Sequence, residues 1–291
     1  MRLETYFFVI MIDSSKKTFA VLVHACDRYE LLYSGFAYFF KKYWDSHIPC
    51  DYFFATEELK VNIEGFENIQ SGKGEWSTRL SFLLENKISA DYIIYFQEDM
   101  WLKDAVSASF FAALFDATQK NNWQQVKLHT SNEYKTEPAA EFIEGLSLAL
   151  INKKTSGYLM SHQITLWRKD FLLQQLQKPE HPWRNERRGT ERLRNSDAEI
   201  YQIDYFLENG QPPNNKNLAH APHCTYFGVS ANAMMFHTSK TFIEEMLTDD
   251  DAQIKSYALK LHFNFENNIT HDGKKPARKL DVFQKIKKWF R

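Results

Sequence analysis

The sequence predicts an α/β fold, a mixed and mostly parallel Rossmann-like sheet flanked by helices. Three observations predict it. Short apolar runs alternate with stretches of helical period through the first hundred residues, the pattern of strand–helix–strand units. Residues 92–96 read Tyr-Ile-Ile-Tyr-Phe, a β-prone run with no polar face, as expected of a strand buried on both sides. That run gives way abruptly to Gln97-Glu98-Asp99, which sets two adjacent acids at the carboxyl end of a strand, where open α/β sheets bind ligands.

The elements follow in order. Residues 18–23 read as a buried strand, and His24 to Arg28 as the loop at its carboxyl end. Residues 29–44 have helical periodicity, with Leu32, Phe36, Phe39, Phe40 and Tyr43 on one side. Residues 51–55 form a second strand and 62–69 a weaker third; 76–86 is a helix with Leu80, Leu83 and Leu84 inside. After the acidic strand come a helix over 105–120, begun near Asp104, and a short strand over 126–128. Residues 131–145 read as a polar surface loop, 158–166 as a strand, 168–177 as a helix and 178–195 as a charged loop or lid. Residues 196–209 are expected to be helical, because Ser196 and Glu199 have capping-box spacing. Residues 210–217 are a turn, 242–247 a helix, and Asp249, Asp250 and Asp251 an acidic cap after it. No linker separates the halves, so residues 1–104 and 105–270 are expected to share one continuous sheet, with 271–291 a basic tail.

With 291 residues, 44% of them hydrophobic, the chain can bury a large core. A net charge of −1 argues against a general nucleic-acid binder. The charge is unevenly placed: residues 274–291 carry eight Lys/Arg against the single acid Asp281, leaving +7 there and −8 in the remainder. Cys26, Cys50 and Cys224 are odd in number and widely spaced, which fits a reduced cytoplasmic compartment. The apolar stretch over residues 6–12 is too short for a membrane span and reads as a strand or core segment.

Three stretches carry a family resemblance: Trp76-Ser-Thr-Arg79-Leu80, Tyr95-Phe-Gln97-Glu98-Asp99, and residues 161–171 followed by Pro182-Trp183 and Glu186. In this order and spacing, over residues 18–240, the chain resembles bacterial GT-A glycosyltransferases of the capsule and lipopolysaccharide type. The resemblance implies a nucleotide-sugar donor held by Asp27, Arg28, Trp76, Arg79, Gln97, Glu98 and Asp99. It implies a glycan or lipid-linked glycan acceptor held by His162, Gln163 and Trp183. The family's metal motif is Asp-x-Asp. Here Gln97 replaces the first Asp, so Asp99 is the expected direct ligand of a divalent cation (Mn or Mg), Glu98 a second ligand or a ribose contact, and His237 a further ligand. Without a cation, Arg or Lys must neutralise the diphosphate.

Glu186 is the expected catalytic base, accepting the acceptor hydroxyl proton in a direct displacement, with Asp197 as the fallback. The surrounding Arg184, Arg187, Arg188 and Arg192 are expected to hold its pKa down. Asp27 reads either as a base or ribose contact or as a helix N-cap. Residues 280–291 place Val282, Phe283, Ile286, Trp289 and Phe290 on one helical stripe among lysines, the signature of a helix lying in a membrane interface, expected at the inner face of the cytoplasmic membrane, or else of a helix packed onto the body with a solvated lysine face. Two other functions compete. A sugar nucleotidyltransferase would need a Gly-rich loop after the first strand, and residues 24–28 contain no glycine. A non-catalytic sugar-binding or scaffold protein would account for Gln97.

Overall fold

A computed structural model describes residues 17–275. The strands are β1 (Phe19–His24), β2 (Asp51–Thr56), β3 (Glu67–Gln70), β4 (Tyr92–Phe96), β5 (Met100–Leu102), β6 (Gln125–His129), β7 (Thr136–Ile143), β8 (Leu146–Ile151), β9 (Thr165–Arg168), β10 (Ile200–Glu208) and β11 (Cys224–Gly228). The helices are α1 (Tyr33–Tyr43), α2 (Trp76–Asn86), α3 (Ala108–Asn121), α4 (Lys169–Gln175), α5 (Pro182–Arg194), α6 (Lys240–Leu247) and α7 (Ala252–Glu266). The main sheet runs β3-β2-β1-β4-β9-β6-β10-β11-β5, with β8 also pairing β10 and β7 pairing β8. Along that path seven of nine strands share one direction; β9 and β5 oppose them. The α/β architecture expected from the sequence is therefore the one observed. Strands from both halves of the chain lie in one sheet.

The sheet is buried on both faces because its central strands are apolar on both. Val21, Val23, Ile94 and Phe96 face the layer built with α1, α3, α6 and α7. Ala20, Leu22, Ile93 and Tyr95 face the layer built with α2 and α4. In the first layer Gly35 of α1 seats the indole of Trp101, since a Cβ there would lie 2.2 Å from its ring.

Four expectations are corrected. Residues 131–145 are not simply loop: β7 and β8 form a hairpin whose turn residues, Glu144 and Gly145, both have positive φ, at 49° and 83°. The charged stretch 178–195 contains helix α5, capped where His181 Nδ1 accepts the N–H of Arg184 at 3.3 Å and begun by Pro182. Residues 196–209 are not helical. Ser196 Oγ donates to the Leu193 carbonyl instead of capping forward, and β10 is held between β6, β8 and β11. The helix expected near Asp104 starts at Ala108, with Ser107 Oγ accepting Phe110 N–H at 3.3 Å. The stretch 6–12 and the amphipathic stripe 280–291 lie outside the described residues. Among the described residues, no helix is long and apolar enough to cross a membrane.

Candidate active site

The chain winds from β1 outward to β2 and β3, then returns to place β4 on the other side of β1. The crevice beyond the carboxyl ends of β1 and β4 is therefore the topological switch point, where such sheets take ligands. Residues 24–28 and 97–99 meet there. Cys26 N–H reaches Glu98 Oε1 at 3.4 Å.

Asp27 does not cap a helix. Its carboxylate accepts the backbone N–H groups of Glu57 (2.8 Å), Glu58 (2.9 Å) and Leu59 (3.1 Å), which fixes the loop after β2. Glu57 in turn accepts Asp27 N–H at 3.2 Å and lies 3.0 Å from Arg79 Nη1. Arg79 is buried, yet its Nε and Nη1 have no aligned hydrogen-bond acceptor among the described residues. A buried guanidinium with unused donors suits an anionic ligand. Arg28, by contrast, is exposed and turns to Asp272 at 3.3 Å.

Glu98 is buried and Asp99 partly so. Burial, and for Glu98 also the Asp99 charge, raises both carboxyls; Asp99 rises to about 6. Two adjacent oxygen donors held at the cost of a raised pKa suit a hard divalent cation, which commonly takes one or two protein carboxylates and completes its shell with substrate phosphate. Among the described residues, no group of three or more His, Cys, Asp or Glu is arranged to hold a metal. Position 237 is brought towards Asp99 by two backbone bonds, Val229 N–H to the Asp99 carbonyl (2.9 Å) and Phe236 N–H to the Val229 carbonyl (2.8 Å). The His237 ring itself is exposed and packs on Phe236. For the Gln97 side chain no hydrogen bond is seen among the described residues.

The opposite wall is α5. Its residues 186, 189 and 190 share a face and lie along the irregular backbone of residues 160–162. Glu186 Oε1 accepts His162 N–H at 3.1 Å, and Thr190 Oγ1 accepts Met160 N–H at 3.2 Å. Gly189 permits the approach, since a Cβ there would lie 2.7 Å from Met160 Cγ. Residues 158–164 are not part of the strand expected over 158–166: the N–H groups of Met160 and His162 bond to α5 side chains, and the strand itself is Thr165–Arg168.

The arginines around Glu186 do not depress its pKa. Arg192 and Arg188 turn to the buried Glu180, Arg194 to Glu191, and Arg184 to the Pro179 carbonyl. Burial raises the Glu186 carboxyl, opposed by His162 N–H and by the charge of Lys127. Lys127, fully buried, donates to Ser161 Oγ at 2.8 Å; burial lowers it to about 7, opposed by the charges of Glu186 and Glu208. Burial raises Glu208 to about 7 in the same neighbourhood. The rings of Tyr95 and His162 lie 6.0 Å apart and His162 N–H bonds to Glu186, which brings the end of β4 and the start of α5 together.

The remaining residues divide. His162 is buried with Nε2 unpartnered, and burial lowers its pKa to about 3, so it is neutral. Trp76 is buried edge-on to it at 4.5 Å between centroids, a wall of the crevice rather than a platform. Gln163 Oε1 accepts the Tyr226 hydroxyl at 2.7 Å. Trp183 is 75% exposed and lines a groove with Glu186. Asp197 is not brought to the crevice. It precedes the amino end of β10, at the opposite edge of the sheet, beside Asn122 and Arg168. Sequence reasoning missed Lys127 and Glu208. The only signal is their place at or near the carboxyl ends of β6 and β10, and the capping-box spacing of Ser196 and Glu199 makes β10 read as a helix.

No family model and no curated protein matches the chain. Among solved structures it is similar to S. aureus TarS 1–349, at 10% identity over 87% of this chain and 73% of that one, with a TM-score of 0.45. It is similar also to S. aureus TarS 1–349 in complex with UDP-GlcNAc, at 10% identity over 87% and 74%, TM-score 0.44. A longer S. aureus TarS structure gives 12% identity over 86% of this chain and 44% of that one, TM-score 0.43.

Proposed function

We propose that this chain is a GT-A-type glycosyltransferase that moves a sugar from a nucleotide-diphosphate donor to a glycan of a bacterial cell-surface polysaccharide or lipopolysaccharide. The observation that supports the reading is the meeting of the β1 and β4 carboxyl ends, where Glu98 reaches Cys26 N–H with Asp99 next in the chain and where Arg79 pairs with Glu57, together with Glu186 held against the segment entering β9. In the reaction the acceptor hydroxyl oxygen attacks the anomeric carbon, and the bond from that carbon to the diphosphate oxygen breaks. The hydroxyl proton passes to Glu186, and the nucleoside diphosphate leaves with its charge facing Arg79. A bound divalent cation, held by Asp99 with Glu98 beside it and His237 as a further candidate, would supply neutralisation of the leaving diphosphate. We read the displacement as inverting, with Glu186 as the base.

The acceptor is proposed to be lipid-linked in the inner leaflet, with the basic stripe over 280–291 holding a cytoplasmic enzyme at that surface. Sedimentation with anionic and neutral vesicles tests that part separately. A non-catalytic sugar-binding protein is the second reading, favoured by Gln97 in place of an acid.

A thermal-shift screen of UDP-, GDP-, dTDP- and CMP-linked sugars, each with Mn²⁺, Mg²⁺ or EDTA, tests the donor site. The reading expects one nucleotide class to raise the melting temperature, with turnover. A shift lost in EDTA and in Asp99→Asn supports the cation, and a shift indifferent to both assigns the diphosphate to Arg79 alone. Binding without turnover supports the second reading.

A further inference from the structure

The outer face of α7 carries two large apolar side chains that nothing among the described residues covers. Leu259 and Phe263 are each 59% exposed. They stand four residues apart, so they share one face of the helix. The inner face is fully engaged. Ala258 and Leu261 are buried in the core, and the Tyr257 hydroxyl donates to the Leu31 carbonyl at 2.7 Å and accepts Gly35 N–H at 3.0 Å. An apolar pair held in solvent on an anchored helix marks an interaction surface.

The charge around the pair selects its partner. Residues 249–266 hold the acids Asp249, Asp250, Asp251 and Glu266 against Lys255 and Lys260, a net −2 with histidine neutral. Three of the four acids gather at the start of α7. Asp251 caps the helix by accepting Gln253 N–H at 2.7 Å, and Asp249 accepts the Tyr38 hydroxyl at 2.6 Å. None of the three forms an ion pair among the described residues. Such a face disfavours an anionic bilayer and favours a basic segment with an apolar stripe.

This chain supplies such a segment. Residues 280–291 place Val282, Phe283, Ile286, Trp289 and Phe290 on one helical stripe, with Lys285, Lys287, Lys288 and Arg291 against Asp281, a net +3. The segment is also within reach. Ile269 N–H donates to the Asn264 carbonyl at 2.9 Å and Thr270 N–H to the Lys274 carbonyl at 2.9 Å, so the chain comes to Lys274 beside the last turns of α7. From Lys275 to residue 280 the chain spans at most about 18 Å. As a helix, residues 280–291 are about 18 Å long, against about 22 Å for α7. A helix that starts near the carboxyl end of α7 and lies back along it runs antiparallel. Its stripe then meets Leu259 and Phe263, and Lys287, Lys288 and Arg291 come to the Asp249–Asp251 end.

We propose that the outer face of α7 is the dock for residues 280–291 of the same chain, which lie on it as an antiparallel amphipathic helix when no membrane is present. One apolar stripe cannot face α7 and a bilayer at once, so the dock regulates the membrane contact. That consequence, unlike the dock itself, rests on the membrane reading of residues 280–291.

Cysteine pairs in the full chain test it. Leu259→Cys with Ile286→Cys is expected to form an intramolecular disulfide under mild oxidation, read by mass spectrometry as a linked peptide pair. Its yield should exceed that of Phe82→Cys with Ile286→Cys about tenfold; Phe82 is exposed on α2, in the other layer. Each single variant sets the background from Cys26, the half-buried native thiol. Adding Phe263→Ser or Asp250→Lys to the first pair should lower its yield several-fold. Both positions are exposed, so melting temperatures verify that these variants fold. Equal yields from the two pairs overturn the dock; if vesicles of phosphatidylglycerol then shield Leu259→Cys from a maleimide, the face belongs to the bilayer. A disulfide formed only between two copies overturns it in favour of a second molecule. With the dock in place, the same vesicles separate the two levels. A yield that falls on their addition supports the regulation, and a yield that holds keeps the dock and overturns the membrane reading of the stripe.

Discussion

The backbone N–H of His162 donates to Glu186 Oε1 at 3.1 Å, locking a helix carboxylate onto the segment that enters β9. That bond orients Glu186, and burial keeps it a stronger base than an exposed glutamate. A base must be ionised to act, so transferase activity is expected to fall as pH drops through a value above that of an ordinary glutamate. Lys127 lowers this pKa, so Lys127→Met should move the acidic limb to higher pH. A pH–rate profile of the two proteins checks both statements; coincident limbs would separate Lys127 from the base.

Arg79 pairs Nη1 with Glu57 at 3.0 Å, while its buried Nε has no acceptor among the described residues, and a diphosphate would supply one. Arg79→Gln is expected to weaken nucleotide-sugar binding roughly ten- to a hundredfold. Titration calorimetry with the donor found in the screen measures it. Unchanged affinity would mean that the guanidinium serves only its contact with Glu57.

Asp27 acts through the loop it holds. Asp27→Ala removes the acceptor of three backbone N–H groups and should cost about 1–3 kcal/mol of stability. Urea denaturation should show a lower midpoint with an unchanged slope. An unaltered midpoint would show that those N–H groups find water at no cost.

Glu208 links stability to pH. Its pKa is about 7 in the folded chain against an ordinary 4.5, so the native state holds the extra proton between those values. Its contribution is fully present below about 4.5 and is lost as pH rises through about 7. Glu208→Gln removes that loss. It should match the parent near pH 4.5 and exceed it at pH 8, by on the order of 1 kcal/mol. Melting temperatures across pH measure the difference; a parent more stable than the variant at pH 8 would reverse the sign.

The first half of the fold was legible because its strands announce themselves locally. Phe19–His24 and Tyr92–Phe96 are apolar on both faces, and α2 has the bounds its periodicity gives. The errors cluster where distant groups decide. Ile200–Glu208 carries a capping-box spacing, yet neighbouring strands on both sides claim its backbone. Residues 158–164 are apolar enough for a strand, but the N–H groups of Met160 and His162 go to Thr190 and Glu186, far along the chain. The arginines of α5 could be counted from the sequence, but not their partner Glu180, which turns them away from Glu186. Of the site residues, Glu98, Asp99 and Arg79 were visible as a strand end and a helix start. Lys127 and Glu208 were not, because a buried charge is recognisable only once its neighbours are placed.

The central claim is that Glu186 accepts a proton in sugar transfer and does not hold the donor. Glutamine keeps the oxygen that accepts His162 N–H but cannot take the proton. The decisive measurement is therefore paired: nucleotide-sugar affinity and the rate of nucleoside diphosphate release in the presence of acceptor, for the parent and for Glu186→Gln. The account predicts equal affinity and a rate lower by about 10²–10⁴-fold. Equal affinity with an undiminished rate would contradict it.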